Sequence, residues 1–320
     1  MGVWRCQMVR FDRIYPYDDM FRYLQELSER FASFTILRMI GESHDERLIP
    51  MLRIGTGTKV LLCTAGIHGR ESLNPTVLLR MMEDYCTAYE KKETVGGYDA
   101  YTLLNRFSIC FIPLVNPDGY EIAVNGFSAV RNPLLRRLCK MRRIPSREWR
   151  GNARGIDINR NFPCRSYTQQ QLSEYPASEQ ETLSLMRVMS DYDTVGYLDF
   201  HSRGELLYYY RHAMTDTYNE RCRGLAEYLA GLSGYRLGLP EEEFPAKGTG
   251  GSSVNFYSKH MQQPAVTVET VPEDCGFPLP VEHCERVYEQ IFRVPIGTLA
   301  CCAAAEKNIR KVRGRRIIFC

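Results

Sequence analysis

The chain has no apolar run long enough to cross a bilayer, which excludes a helical membrane span. It has no regular CxxC pairs either. Its 12 cysteines are scattered, so buried, reduced thiols are expected rather than a disulfide framework. Charge of one sign is not in excess: a net +3 is too small to imply a nucleic-acid partner. No secretory signal is expected in Met1-Gly2-Val3-Trp4-Arg5-Cys6, which charge interrupts early. A cytoplasmic location is therefore expected. No internal repeat is visible, which excludes a solenoid or propeller.

What remains is an ordinary globular composition, 44% hydrophobic and 25% charged. A chain of 320 residues can build one large domain or two small ones. Met20, Leu24, Leu27 and Phe31 recur at helical spacing and predict a helix over 17–31. Strands are predicted over 34–40, 48–54, 60–65, 107–113, 195–200, 206–210 and 264–270. Helices are predicted over 73–90, 178–190, 216–231, 252–260 and 281–303, the last bent at Pro295. Asn116-Pro117-Asp118-Gly119 reads as a turn. The arginine-rich stretch 124–155 reads as an irregular binding loop. The alternation argues for one α/β domain with a mostly parallel central sheet over residues 1–303. A basic, solvated tail occupies 304–320, rich in lysine and arginine from Lys307 to Arg316.

The chemistry concentrates at predicted strand ends, where α/β sheets place their sites. His68-Gly69-Arg70-Glu71 follows the apolar run Val60–Ile67 and precedes a helix. A histidine and a glutamate three apart, joined by His201 at another strand end, could hold one zinc ion and leave a position open for water. Glu269 ends the apolar strand Ala265–Thr270. A carboxylate in such a place is costly without a task or a partner, and it could serve as general base. The segment Trp149–Pro163 brings together three arginines and three asparagines, a composition suited to a carboxylate or an oxyanion. Asp157 within it could orient His68. A solvated basic loop is the competing reading of that segment.

In order and spacing, His68-x-x-Glu71, Asn116–Gly119, Gly155–Phe162, Ser178–Thr182, His201-Ser202 and Thr267–Glu269 resemble the zinc carboxypeptidase family of carboxypeptidase A type. The resemblance implies a three-layer α/β/α domain with a mixed sheet of about eight strands. It implies one zinc per chain on His68, Glu71 and His201, with Glu269 as general base. Arg150 or Arg154 would stabilise the oxyanion. Asn159 and Arg160 would hold a terminal carboxylate, Arg70 and Ser202 would add substrate contacts, and Asp157 would support His68. The form Trp149–Pro163 looks like the bacterial branch that acts on murein peptides, cutting between γ-D-glutamate and diaminopimelate. A general C-terminal metallocarboxypeptidase for apolar or mixed residues is the alternative. A non-peptide amide deacylase and a non-catalytic binding module on the same fold are further ones. The stretch Pro245–Gly251 lacks the family's capping tyrosine, and Lys247 within it reads as a solvated lysine. The specificity pocket, expected near Ser252, Ser253 and Val254, shows no obvious charge. The expected partner is a small peptide; the oligomeric state is open.

Overall fold

The computed structural model describes residues 9–243 and 250–316. The chain opens with α1 (Tyr17–Arg30), β1 (Thr35–Glu42), β2 (Leu48–Ile54), β3 (Lys59–Ala65) and α2 (Leu73–Lys91). A small hairpin, β4 (Thr94–Val95) and β5 (Tyr98–Asp99), leads to α3 (Ala100–Arg106) and β6 (Phe107–Ile112). Then come α4 (Pro117–Asn125), α5 (Pro133–Met141), α6 (Gln180–Asp191), β7 (Thr194–Ser202), β8 (Leu206–Tyr208) and α7 (Asp216–Ser233). The rest is β9 (Arg236–Leu237), α8 (Ser253–Met261), β10 (Ala265–Thr270), α9 (His283–Ile291) and α10 (Val294–Arg316).

Eight strands form one sheet in the order β1-β2-β6-β3-β7-β10-β8-β9. Its centre, β6-β3-β7-β10, is parallel. The joins of β1 to β2, β2 to β6 and β10 to β8 are antiparallel. The mixed α/β architecture expected from the sequence is therefore present. The apolar run of β3 has a simple cause. Successive side chains of a strand point to opposite faces. Leu61, Cys63 and Ala65 join the core that holds Met81 and Tyr85 of α2 and Leu299 of α10. Val60 and Leu62 join the opposite core with Leu185 of α6 and Tyr257 of α8. Both faces are covered by helices, so Val60 to Cys63 are all apolar, and the buried Thr64 spends its hydroxyl on Asp199 at 2.6 Å.

Three local expectations are corrected. Asn116–Gly119 is the start of α4: the Asn116 side chain accepts from the Gly119 amide at 2.9 Å and Pro117 takes the first turn. The stretch 124–155 contains α5, whose start is capped by Asn132. The closing helix is two helices, α9 and α10, with Pro295 in the first turn of the second rather than at a bend. Helix α10 continues to Arg316, through most of the predicted tail. Cys6, Lys247 and Cys320 lie outside the described residues. No helix among the described residues is long and apolar enough to cross a membrane.

Candidate active site

Gly66 leaves β3 in a left-handed conformation, φ +63°, and turns the chain toward Ile67 and His68. Gly69 then packs directly on other backbone: a Cβ there would lie 2.2 Å from the Gly119 carbonyl oxygen. Its amide donates to the Arg150 carbonyl at 3.0 Å. These contacts seat the His68–Glu71 turn on the start of α4 and on the arginine-rich loop. His201 is the next-to-last residue of β7. Its carbonyl accepts from Asn74 at 2.7 Å and from Thr270 at 3.1 Å.

His68, Glu71 and His201 converge in the interior. His68 Nδ1 lies 2.7 Å from Glu71 Oε1, His201 Nδ1 lies 3.0 Å from Glu71 Oε2, and the two Nδ1 atoms are 3.1 Å apart. The other ring nitrogens face carboxylates. His68 Nε2 is 3.2 Å from Asp157 Oδ1, and His201 Nε2 is 3.0 Å from Asp199 Oδ2. A carboxylate on one ring nitrogen favours the tautomer with its proton there, which turns the other lone pair inward. In that tautomer the two Nδ1 atoms and the Glu71 carboxylate turn their lone pairs toward one point. Their separations approach the edge of a zinc tetrahedron, roughly 3.3 Å for bonds of about 2.0–2.1 Å. Two imidazoles and a carboxylate are also a donor set that zinc accepts while keeping an open position. These residues therefore fit the metal.

The electrostatics agree. Burial works against the Glu71 carboxylate, but His68 and His201 outweigh it and hold Glu71 far below the usual range. Burial likewise opposes a charged His201, while Asp199 and then Glu71 raise it well above its ordinary value. The locus draws positive charge. Asp199 is itself held by Thr64 and Ser253, whose hydroxyls donate to it at 2.6 Å each.

Glu269 sits on β10 in register with His201 of β7. Its carboxylate has no hydrogen bond or ion pair among the described residues. Burial pushes its carboxyl up to about 8, with His201 pulling against the shift and Glu71 adding to it. Asp157 joins the other groups: its Oδ2 accepts from Arg150 Nε at 2.7 Å and its Oδ1 from the Asn159 amide at 3.0 Å. Arg150 is thereby anchored by Nε alone, and its terminal nitrogens make no hydrogen bond within the described residues. Asn159 Oδ1 accepts from the Ser253 amide at 2.9 Å, and its Nδ2 lies 3.3 Å from His201 Nε2. Arg160 donates to the Asn159 carbonyl at 2.7 Å and has no carboxylate partner among the described residues. Arg70 lies over the Phe277 ring at 4.5 Å, its buried Nε without a hydrogen bond in the described structure.

Two of the predicted site residues are placed elsewhere. The Arg154 guanidinium donates to Glu179 at 2.9 Å and to the Ser173 carbonyl at 3.1 Å, so it is committed away from the triad. The Ser202 hydroxyl is taken up inside the protein, 2.9 Å from Thr270 Oγ1 and 3.3 Å from Asn74 Nδ2. It supports the strand end rather than facing a ligand. A cavity of 520 Å³ opens beside the triad, lined by Asn159, Arg160, Ser252, Val254, Thr267 and Glu269. Its walls also carry Arg165, Lys259 and Glu242, so the uncharged pocket read from residues 252–254 is corrected. The charges come from segments far from those three in sequence.

A profile of the zinc carboxypeptidase family matches residues 20–293. The chain is 22% identical over 310 residues to gamma-D-glutamyl-L-diamino acid endopeptidase 1 of Lysinibacillus sphaericus, covering 92% of this chain and 74% of that protein. It is 31% identical over 160 residues to metallocarboxypeptidase A of Trichophyton rubrum, but there it spans 48% of itself and 34% of the relative. The fold is shared with thrombin activatable fibrinolysis inhibitor, with a TM-score of 0.73, 17% identity, and coverage of 92% and 77% of the two chains. It is also shared with murein-tripeptide amidase MpaA of Escherichia coli O157, with a TM-score of 0.50, 18% identity, and coverage of 80% and 91%. With a profile that spans most of the sequence and a buried His-Glu-His set that suits the metal, this chain belongs to the zinc carboxypeptidase family of metallopeptidases.

Proposed function

We propose that this chain hydrolyses an amide next to a terminal carboxylate in murein peptides, at the bond between γ-D-glutamate and diaminopimelate. The observation that carries the reading is Arg160. It lines the cavity beside Asn159 and Glu269 and has no carboxylate of its own among the described residues. Burial, with Arg150 adding to it, lowers its pKa against the pull of Asp157, so an incoming carboxylate would supply the missing counter-charge. Lys259 on the cavity wall suits a leaving residue whose side chain ends in a second carboxylate, while Glu242 is engaged by Arg236 at 3.2 Å. A side chain that ends in a carboxylate is the chemistry of diaminopimelate, and the activity for which the Lysinibacillus relative is named points the same way.

Zinc held by His68, Glu71 and His201 would acidify a water and polarise the scissile carbonyl. Glu269, raised by burial and otherwise unpartnered, takes the proton of the attacking water and passes it to the leaving amine. Arg150, fixed through Nε by Asp157, turns its free nitrogens toward the developing oxyanion. Asn159 and Arg160 hold the terminal carboxylate of the leaving residue.

The test is to incubate zinc-loaded protein with L-Ala-γ-D-Glu-diaminopimelate beside a blocked α-linked dipeptide, with a chelator control, and follow products by mass spectrometry. Chelator-sensitive release of diaminopimelate supports the proposal. Cleavage of the α-linked peptide alone would move the enzyme to the general carboxypeptidases.

A further inference from the structure

A second cluster lies outside the triad. It gathers His44 from the loop between β1 and β2, Glu179 at the N-cap of α6, and Glu181 in that helix's first turn. Their ligand atoms all fall within 4.8 Å of one another. Both glutamates are fully buried.

The polar contacts of the cluster are unevenly shared. Glu179 Oε1 accepts from Ser178 Oγ at 2.6 Å and from Arg154 Nη1 at 2.9 Å. Glu179 Oε2 accepts from Asn152 Nδ2 at 2.7 Å and lies 3.1 Å from His44 Nε2. Glu181 Oε2 has only a long contact with the same Asn152 nitrogen, at 3.3 Å. Two buried atoms are left over: His44 Nε2 makes no aligned hydrogen bond, and Glu181 Oε1 has no partner at all among the described residues.

Arg154 is the one arginine or lysine paired with these two carboxylates among the described residues. The nearby Asp118 already has Arg47 at 2.9 Å. The start of α6 favours negative charge but does not remove it. A buried carboxylate oxygen without a donor is costly, and a cation shared with a neighbouring imidazole and a second carboxylate relieves that cost.

We infer that His44, Glu179 and Glu181 form a second, non-catalytic site for a divalent transition-metal ion of the zinc class, in addition to the family's catalytic zinc. Imidazole selects against magnesium and calcium, which take oxygen ligands, and the two carboxylates suit zinc. The ion would tie three segments together: the β1–β2 loop, the start of α6, and, through Asn152 and Arg154, the loop that carries Arg150 and Asp157. Its task would be to stiffen that loop, since metal binding to a folded site is folding free energy.

The experiment loads the full chain with Zn²⁺, removes free ion, and measures metal per chain by mass spectrometry, beside Glu181→Gln, His44→Asn and His201→Ala. The wild type is expected to hold about two zinc ions and each variant about one. The His201→Ala protein, loaded with Co²⁺, should show a visible absorption band that Glu181→Gln abolishes in the same background. One zinc in the wild type, unchanged by Glu181→Gln, would overturn the site and leave a proton on Glu181 instead. Metal content is read without any substrate, so failure here is distinct from failure to cleave the murein peptide.

Discussion

At the scale of the residue, the triad explains why its supports matter as much as its ligands. Asp199 is fully buried and faces His201 Nε2 at 3.0 Å. Carboxylates in this position fix the imidazole and raise its basicity, so Asp199→Asn should weaken zinc binding about 10–100-fold. Competition against a zinc-sensitive dye measures that, and an unchanged affinity would remove Asp199 from the site. The residue was legible in principle. Asp199 and His201 are two apart on a strand, hence on the same face, but a search for ligands stops at the histidine. Glu269 was legible for the opposite reason, since an acid at the end of an apolar strand stands out. Glu269→Gln should keep zinc and lower kcat by roughly 10²–10⁴. The wild-type kcat/KM should fall as pH is lowered, because the base works only when ionised. The midpoint should lie below the value of about 8 that burial sets, since a bound cation favours the carboxylate. An acidic limb that survives in Glu269→Gln would mean that another group is the base.

At the scale of the element, strands were read better than loops, and the reason is physical. The prediction for 48–54 coincides with β2, and that for 60–65 falls one residue short of β3. Burial on one or both faces leaves a periodic signature there. The stretch 124–155 is held by only a few widely spaced buried side chains, Val130, Cys139 and Trp149 among them, which leave no such period. Its helix α5 exposes Leu134 and Met141 and depends on the Asn132 cap, a local signal that the arginines obscured. Arg154 differs from its expected role for a related cause. Composition shows that a guanidinium is available, but the Glu179 that claims it comes from the start of α6. That helix start also carries a pH effect. Burial, with Asp118 adding to it and His44 opposing, pushes Glu181 up to about 7. The folded state then binds a proton that the unfolded chain releases in its usual carboxylate range. In chelator-treated protein, stability should therefore be highest in acid for this group and decline as pH rises toward 7. The loss is on the order of 2–3 kcal/mol. Urea unfolding at several pH values tests this: Glu181→Gln should flatten the slope, and an identical slope in the variant would assign it to other groups.

At the scale of the whole molecule, the sheet order does what no single motif can. β3 and β10 flank β7 on either side, so the segments ending at Ala65, Ser202 and Thr270 deliver His68, His201 and Glu269 to one edge of the sheet. In sequence these residues are far apart; parallel pairing of neighbouring strands brings their carboxyl ends together. The two cores on opposite faces of β3 then hold that edge in place. A metal bound by His68, Glu71 and His201 would connect the segment after β3 to the end of β7. The unfolded chain, with its ligands dispersed, would bind the ion far more weakly. Anything that binds the native state alone stabilises it by mass action, by about 2.7 kcal/mol when free ligand is a hundred times its Kd. For a chain of this length such a gain raises the unfolding midpoint by several degrees. Calorimetry of chelated and zinc-loaded protein should show that rise, and His201→Ala should lose most of it. Any increment that persists in His201→Ala and disappears with Glu181→Gln would come from the second cluster. If zinc left the midpoint of every form unmoved, the buried triad would be a hydrogen-bonded strand end instead of a metal centre.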